Sequence, residues 1–251
     1  MGSVNMAVLF DLEDTLIQTP WADHQHVLEF RRKTREELVS FGIPASVLEG
    51  IERSAMMRNK ALEYLEQNSN EAEVERFKAR LEEFLSQYEL ESANKSKLFS
   101  DAIPSLETLR KSGIKMGLVT STSTKAVDII FQRHSLAGYF KAVVTRENVK
   151  RLKPDPESIL LAVKELGVKR FLMVGDLALD IIAAKNAEGT AVLVDRYPEH
   201  SDSQYLFKGL PPDILELAKK CVDKNGFLRA DYVVKSLLEV PQIVEAEMKK
   251  T

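Results

Sequence analysis

Short apolar runs alternate with amphipathic stretches through the second half of the chain. Residues 157–166 carry apolar side chains at three- and four-residue spacing and end at Gly167, as helices often do. The apolar runs that have the length of strands are 115–120, 142–145, 171–175 and 190–195. Continuous apolar strands that alternate with such helices are typical of a parallel sheet buried on both faces. The pattern predicts an α/β fold with a doubly wound parallel sheet of five or six strands.

The first apolar run, residues 7–10, ends abruptly at a group of acidic side chains. Asp11, Glu13 and Asp14 lie within four positions and are followed by Thr15. Like charges at the end of a buried strand repel one another and are costly to desolvate. Hard cations such as Mg²⁺ are held by one or two carboxylates together with phosphate oxygens. The run therefore predicts a central strand that ends at a divalent-cation site, unless Asp14 or Thr15 only caps the next helix.

Between this strand and the alternating half, residues 19–95 show helical periodicity and no strand pattern. The second of three predicted helices begins at Pro44, and a turn with a helix cap precedes the third. The charged faces of the second and third helices are expected to be exposed to solvent. We therefore expect an all-helical domain, 19–95, inserted into an α/β domain that is formed by 1–18 and 96–251.

Toward the C-terminus the pattern is less regular. Residues 230–238 are expected to add an edge strand or a final helix to the sheet. Within 200–229 the sequence predicts a helix after the prolines at 211–212 and a turn at 225–226. The pattern assigns no role to that segment.

The composition excludes several classes of protein. The 251 residues carry 35 basic and 38 acidic side chains, a formal net charge of −3, which does not suit a nucleic-acid binder. A single cysteine, Cys221, excludes an intramolecular disulfide and a cysteine-clustered zinc site. No apolar run reaches the roughly 18 residues of a membrane span, and the N-terminus lacks the pattern of a secretion signal. We expect a cytoplasmic protein with no membrane or nucleic-acid partner, either a monomer or a homodimer.

Polar side chains follow four of the predicted strands, at the edge where ligands bind in an open parallel sheet. These residues are Asp11 and Glu13, Thr120 and Ser121, Lys153, and Asp176 with Asp180. Each alone has an ordinary explanation, such as a helix cap for Asp176 or a solvated loop charge for Lys153. Their occurrence together, on successive strand ends, favours one shared site.

These residues lie in four motifs that resemble those of the haloacid dehalogenase superfamily. FDLEDTL resembles its Asp-x-Asp-x-Thr nucleophile motif except at Glu13, and VTS, LKPDP and GDLALD resemble the other three. The insert resembles the helical cap of phosphoglycolate-phosphatase-like members. The resemblance implies a Rossmann-like core with an inserted all-helical cap and Mg²⁺ as cofactor. It also implies a phosphatase of small phosphorylated metabolites that forms an aspartyl-phosphate.

Phosphate transfer gives these residue types their expected roles. Mg²⁺ between Asp11 and Asp176 would neutralise the charge of a dianionic phosphomonoester, and Asp11 would then attack phosphorus. Lys153 would place a compact positive charge on a non-bridging oxygen. Thr120 and Ser121 are expected to bind the other phosphate oxygens.

Glu13 would protonate the leaving oxygen and later deprotonate water. The resemblance adds the backbone carbonyl of Glu13 as a metal ligand and gives Asp180 the ordering of metal-bound water. Glu13 reaches one methylene further than the usual Asp, and a misplacement of about 1 Å can cost about 10²-fold in rate. One alternative is therefore a catalytically reduced phosphate-binding or interaction module. Another is a phosphosugar mutase of the same fold, whereas a metal-free dehalogenase would not need Asp176 and Asp180.

Overall fold

The computed structural model describes residues 5–19, 24–196, 218, 221–222 and 229–250. Its strands are β1 (Met6–Phe10), β2 (Ile17–Gln18), β3 (Lys97–Leu98), β4 (Lys115–Val119), β5 (Ala142–Val144), β6 (Arg170–Gly175), β7 (Thr190–Val194) and β8 (Tyr232–Val234). Its α-helices are α1 (His24–Ser40), α2 (Ser54–Asn68), α3 (Glu71–Lys95), α4 (Ala102–Lys111), α5 (Thr124–His134), α6 (Glu157–Leu166), α7 (Ala178–Asn186) and α8 (Val240–Met248).

Among the described residues, six parallel strands form one sheet in the order β5-β4-β1-β6-β7-β8. β1 lies inside this sheet, paired with β4 on one side and β6 on the other, as the sequence predicts. Its side chains alternate, because Val8 and Phe10 pack into one apolar core while Ala7 and Leu9 pack into another. A sheet that is apolar on both faces must be covered on both faces. The predicted α/β fold with a doubly wound parallel sheet is therefore confirmed.

The helices α1, α2 and α3 lie between β2 and β3, which pair with each other in antiparallel fashion. Ile17 pairs with Leu98, so the chain leaves the sheet and returns to it at the same place. The three helices enclose an apolar core of their own, which Ala178 and Leu179 of α7 join. These helices occupy the segment in which a helical cap was predicted; its independence as a domain stays a prediction.

The second helix of the insert is shorter than predicted. α2 begins at Ser54, whereas Pro44 opens a short 3₁₀ turn that ends at Leu48. Gly50 then turns the chain at a φ of 73°, a conformation that glycine adopts without steric strain. The helix that was predicted to begin at Pro44 is therefore divided by this glycine.

At the C-terminal end, residues 230–238 supply the edge strand β8, and α8 follows them. The sequence did not predict β2 and β3, because strands of two residues show no periodicity. The predictions for 211–212 and 225–226 lie outside the described residues. No helix in the described part of the chain is both long and apolar enough to cross a membrane.

Candidate active site

A tight turn follows the central strand. The Asp11 N–H donates to the Val174 carbonyl at 2.9 Å, which extends the pairing of β1 with β6 by one residue. The Ile17 N–H then bonds to the Leu12 carbonyl at 3.0 Å, and Asp14 adopts a left-handed φ of 53° inside this turn. Asp tolerates this conformation better than most residues. As a result, Asp11 lies buried at the carboxyl end of β1.

Three carboxylates meet at this edge of the sheet. Asp11, Asp176 and Asp180 each place one carboxylate oxygen within 4.8 Å of the other two. The Thr15 hydroxyl donates to Asp176 Oδ1 at 3.1 Å, which links the turn after β1 to the end of β6. We call these three acids, together with Lys153, the carboxylate cluster.

The end of β6 makes room for Asp180. This side chain lies in the first turn of α7, is almost fully buried, and accepts a hydrogen bond from the Leu177 N–H at 3.0 Å. A Cβ atom at Gly175 would lie 2.4 Å from Asp180 Oδ2. Since no Cβ tolerates that distance, the strand can end against this carboxylate only because residue 175 is glycine.

Lys153 supplies the positive charge of the cluster. Its buried ammonium group donates to Asp11 Oδ1 at 2.6 Å, to Asp180 Oδ1 at 2.5 Å and to the Val119 carbonyl at 3.1 Å. All three of its N–H donors therefore have partners. Burial disfavours the charged form, but the carboxylates of Asp11 and Asp180 outweigh it and raise the pKa of Lys153.

One ammonium group does not balance three carboxylates. Burial, opposed by Lys153 and aided by Asp180, raises the pKa of Asp11 to about 7. Burial and the charges of Asp11 and Asp180 also raise the pKa of Asp176 well above its ordinary value. A group of hard oxygen donors with surplus negative charge is the kind of site that Mg²⁺ fits.

Thr120 and Ser121 follow β4 beside the carboxylate cluster, because Val119 at the end of β4 accepts a hydrogen bond from Lys153. The buried Thr120 hydroxyl accepts from the Thr122 N–H at 3.1 Å and donates to the Thr122 hydroxyl at 3.0 Å. These bonds fix the turn that leads into α5. The two residues thus lie where the sequence placed them, and their binding of phosphate stays a prediction.

Glu13 is half-buried in the turn after β1. Burial, followed by the charges of Glu89, Asp11 and Asp14, raises the pKa of Glu13 to about 8, against a hydrogen bond with Thr122. A carboxyl group with this pKa is protonated at neutral pH and can donate its proton. The environment of Glu13 therefore suits the acid that the sequence predicts, although that role stays a prediction.

A second group of buried charge joins the inserted helices to the sheet, and the sequence did not predict it. Arg146 follows β5 and donates to Glu82 at 2.6 and 2.8 Å, to Glu89 at 2.9 Å, and to the Ser121 carbonyl at 2.9 Å. Glu89 also accepts the Ser123 N–H at 3.1 Å. We call Arg146, Glu82 and Glu89 the Arg146 cluster.

The partial burial of Glu82 and Glu89 shows that one prediction was wrong. The charged face of α3 was expected to be solvated, yet the side chains of Glu82 and Glu89 are only 33% and 14% exposed. Their spacing of seven residues places them on one face of α3, two turns apart. Seven-residue spacing of acids could have suggested a shared partner, but nothing in the sequence marked Arg146 as that partner.

Comparison with known proteins shows which family the chain belongs to. The profile of the haloacid dehalogenase-like hydrolase family matches residues 8–194, which include all seven predicted site residues. An N-acetylmuramic acid 6-phosphate phosphatase of Pseudomonas aeruginosa is 32% identical over 76% of this chain and 81% of its own length. The crystal structure of a HAD phosphatase from Thermococcus onnurineus is 26% identical, with a TM-score of 0.53 over 95% of this chain and 97% of that one.

One further solved structure is similar to this chain in fold, at a sequence identity too low to indicate function. The β-phosphoglucomutase of Clostridium difficile superposes with a TM-score of 0.58 over 97% of both chains, at 19% identity. The family profile and the similarity to the P. aeruginosa protein decide the class. The chain belongs to the haloacid dehalogenase-like hydrolase family, and it is a hydrolase.

Proposed function

We propose that the protein is a Mg²⁺-dependent phosphatase of small phosphorylated metabolites and that Asp11 is its nucleophile. The observation that carries this proposal is the carboxylate cluster, in which Asp11 ends the central strand beside Lys153, Asp176 and Asp180. The named phosphatase among its relatives supports the same reaction.

The chain's own residues supply both halves of the reaction. In the first step, an oxygen of Asp11 bonds to phosphorus while the bond to the leaving oxygen breaks, and Glu13 gives that oxygen its proton. In the second step, water attacks the aspartyl-phosphate and passes a proton to Glu13. The bond between Asp11 and phosphorus then breaks, which releases inorganic phosphate and restores both carboxyl groups.

Lys153 prepares the site for this attack. Its Nζ atom lies 2.6 Å from Asp11 Oδ1, and this contact favours the ionised form that a nucleophile needs. The same ammonium group can bind a non-bridging oxygen of the substrate phosphate if it exchanges one of its three present hydrogen bonds for it. Ser121, beside it after β4, can donate a hydrogen bond to another oxygen, and Thr120 can do the same when its O–H turns away from the Thr122 hydroxyl.

Asp11, Asp176 and the backbone carbonyl of Glu13 would hold Mg²⁺, with Asp180 close by. The donor set fits, because these are hard oxygen ligands and the surplus charge that raises the pKa of Asp176 is what a cation relieves. When bound, Mg²⁺ neutralises part of the charge of the dianionic phosphate.

The test is release of inorganic phosphate from p-nitrophenyl phosphate, with and without Mg²⁺, by the wild type and by Asp11→Asn. We expect release that requires both Mg²⁺ and Asp11. A panel of phosphorylated metabolites, with hexose and amino-sugar 6-phosphates tried first because of the P. aeruginosa relative, then identifies the substrate class. Absence of phosphate release across the panel contradicts the proposal. Conversion of a sugar phosphate into its isomer without net release would identify a mutase instead.

A further inference from the structure

The segment 150–153, which ends at Lys153, is held partly by hydrogen bonds to the helix that follows it, α6. The carboxylate of Glu157, at the start of α6, accepts the backbone N–H groups of Lys150 at 3.0 Å and Arg151 at 2.8 Å. These bonds fix the first half of the segment. The carbonyl of Leu152, the residue directly before Lys153, also accepts the Asp155 N–H at 3.1 Å, which leaves the Leu152 N–H to another partner.

The inserted helix α2 provides that partner and a second donor to the Leu152 carbonyl. Asn59 Oδ1 accepts the Leu152 N–H at 2.9 Å, and Asn59 Nδ2 donates to the Leu152 carbonyl at 2.8 Å. One side-chain amide therefore pairs with both backbone groups of one residue. Its neighbour Arg58 donates to the Lys150 carbonyl at 3.1 Å, so α2 contacts the segment at two points.

A single peptide bond separates Leu152 from Lys153, whose ammonium group lies in the carboxylate cluster. Lys153 donates to both Asp11 and Asp180 within 2.6 Å, so a shift of its backbone would move the ammonium group away from them. We propose that Asn59 is a positioning residue for Lys153, through which docking of α2 holds the ammonium group at the phosphate site. The inference rests on the proposed function, in which Lys153 binds the substrate phosphate.

Asparagine suits this position because it carries a donor and an acceptor at one end. Asn59→Asp keeps the acceptor for the Leu152 N–H but turns a carboxylate oxygen toward the Leu152 carbonyl, which repels it. Asn59→Ala removes both bonds. A displacement of about 1 Å at a catalytic group costs about 10²-fold, so we expect both variants to lose about 10- to 100-fold in kcat/KM.

Asn68→Ala is the matched control. Asn68 is the last residue of the same helix, is exposed, and donates its side-chain amide within α2, to the Tyr64 carbonyl at 2.8 Å. The three variants and the wild type are compared in kcat/KM, in the affinity for inorganic phosphate, and in hydrogen exchange at the Leu152 amide. We expect weaker phosphate binding and faster exchange in both Asn59 variants, and wild-type values in Asn68→Ala.

A double-mutant cycle with Lys153→Met asks whether Asn59 acts through the lysine. Phosphate affinity is measured for the wild type, Asn59→Ala, Lys153→Met and the double variant. We expect Asn59→Ala to weaken phosphate binding in the wild-type background and to change it less than twofold once Lys153 is gone. Equal losses in both backgrounds overturn the proposal, because Asn59 then acts by another route.

Two further outcomes distinguish failure of the inference about Asn59 from failure of the proposed function. If Leu152 exchanges faster in Asn59→Ala while kcat/KM and phosphate affinity stay within twofold of the wild type, the contact is only structural and the inference is overturned. If the wild type itself neither hydrolyses phosphate esters nor binds phosphate, the proposed function has failed first. Asn59→Asp provides the same comparisons if Asn59→Ala does not fold.

Discussion

The carboxylate cluster and the Arg146 cluster are both buried groups of opposite charges, yet their acids behave in opposite ways. In the first, the pKa values of Asp11 and Asp176 are raised by burial and by neighbouring carboxylates. In the second, burial would raise the pKa of Glu82, but hydrogen bonds from Arg146 outweigh it and lower that pKa. Both clusters keep a formal surplus of negative charge, and the difference lies in how many of the acids bond to the cation. Arg146 bonds to both of its glutamates, whereas among the described contacts Lys153 bonds to Asp11 and Asp180 but not to Asp176. We therefore call the Arg146 cluster balanced and the carboxylate cluster unbalanced.

Geometry explains the contrast. A guanidinium group presents five donors in a plane, and Arg146 uses that fork on two carboxylates and a backbone carbonyl. Lys153 has three donors, and it uses them on Asp11, Asp180 and the Val119 carbonyl. None is left for Asp176, whose hydrogen-bond donor within the described part of the chain is the Thr15 hydroxyl. A balanced cluster suits a permanent contact between the inserted helices and the sheet. An unbalanced cluster suits a binding site, which receives first a cation and then an anion.

The largest effect is expected when a carboxylate of the unbalanced cluster is neutralised. Asp176→Asn should lower Mg²⁺-dependent phosphate release by about 10³-fold or more, because the change removes the charge of a proposed metal ligand. Its free energy of unfolding without Mg²⁺ should not fall, since the change relieves repulsion among Asp11, Asp176 and Asp180. The measurements are steady-state rates over a Mg²⁺ titration and urea unfolding in chelator.

Glu82→Gln is the matched control, the same chemical change in the balanced cluster. It should leave the Mg²⁺ dependence unaltered while lowering the stability of the protein. Full activity and unchanged Mg²⁺ dependence in Asp176→Asn would show that the metal is held elsewhere.

Glu13 lies between the two clusters, since the charges of Glu89 and Asp11 both act on it. Glu13→Gln cannot donate a proton and should lose about 10²- to 10³-fold in kcat, while Glu13→Asp should retain or improve turnover. Because the pKa of Glu13 in the free protein is about 8, wild-type kcat/KM should fall as the pH rises past that value. Equal, substantial activity in the wild type and in Glu13→Gln would remove Glu13 from the mechanism.

The same pH profile measures how strongly the charges of the Arg146 cluster affect the pKa of Glu13. Glu89→Gln removes a negative charge near Glu13, which should lower the pKa of Glu13 and move the fall in kcat/KM to lower pH. Unchanged profiles in Glu89→Gln would separate the two clusters electrostatically. Glu36→Gln, which removes the same charge from an exposed pair with Arg32 on α1, is the control for altered net charge.

The carboxylate cluster could be predicted from the sequence but the contacts around it could not, for a physical reason. Asp11, Lys153, Asp176 and Asp180 follow strands of one parallel sheet, and parallel strands bring their carboxyl ends to one edge. The order of strands along the chain is therefore enough to bring these side chains together. The strand positions were predicted to within one or two residues, because buried strands have continuous apolar runs.

The contacts of Asn59 and Arg146 depend instead on how the inserted helices dock on the sheet. Asn59 is 93 residues from Leu152, and Arg146 is 64 residues from Glu82. Neither pairing has a periodic signal, since helix periodicity shows which face is apolar and not which loop a polar face will meet. Only the three-dimensional arrangement of the two parts of the chain determines these contacts.

Changes in the Arg146 cluster should lower the stability of the protein, whereas changes in the carboxylate cluster should lower its activity. Arg146→Met leaves the carboxylates of Glu82 and Glu89 without their cation, and loss of one partner in a buried pair costs about 3–5 kcal/mol. Both side chains keep some exposure, so we expect a loss of about 2–3 kcal/mol in urea unfolding. Adding Glu82→Gln and Glu89→Gln should recover part of it. Wild-type stability in Arg146→Met would mean that this joint contributes little.

The smallest effect concerns the pH dependence of stability in chelator. The pKa of Asp11 is about 7 in the folded protein and ordinarily 3.8, so the folded state holds a proton that the unfolded chain releases. Stability contributed by protonated Asp11 is therefore present at low pH and is lost as the pH rises from about 4 to 7. Each unit of pKa difference corresponds to about 1.4 kcal/mol, and because Asp11 shares its titration with the neighbouring carboxylates, we expect a measurable share of about 1–2 kcal/mol.

Asp11→Asn should flatten this dependence, so that the free energy of unfolding changes less between pH 5 and 7 than in the wild type. Asp101→Asn is the opposite control. The Asp101 side chain is 11% exposed, and its partial burial would raise its pKa, but hydrogen bonds from Arg196 and Ser236 lower that pKa. Its contribution is therefore already complete at pH 5, and the variant should lose stability equally at both pH values. Parallel pH profiles for the wild type and Asp11→Asn would show that the surplus charge of the carboxylate cluster is relieved by something other than protonation of Asp11.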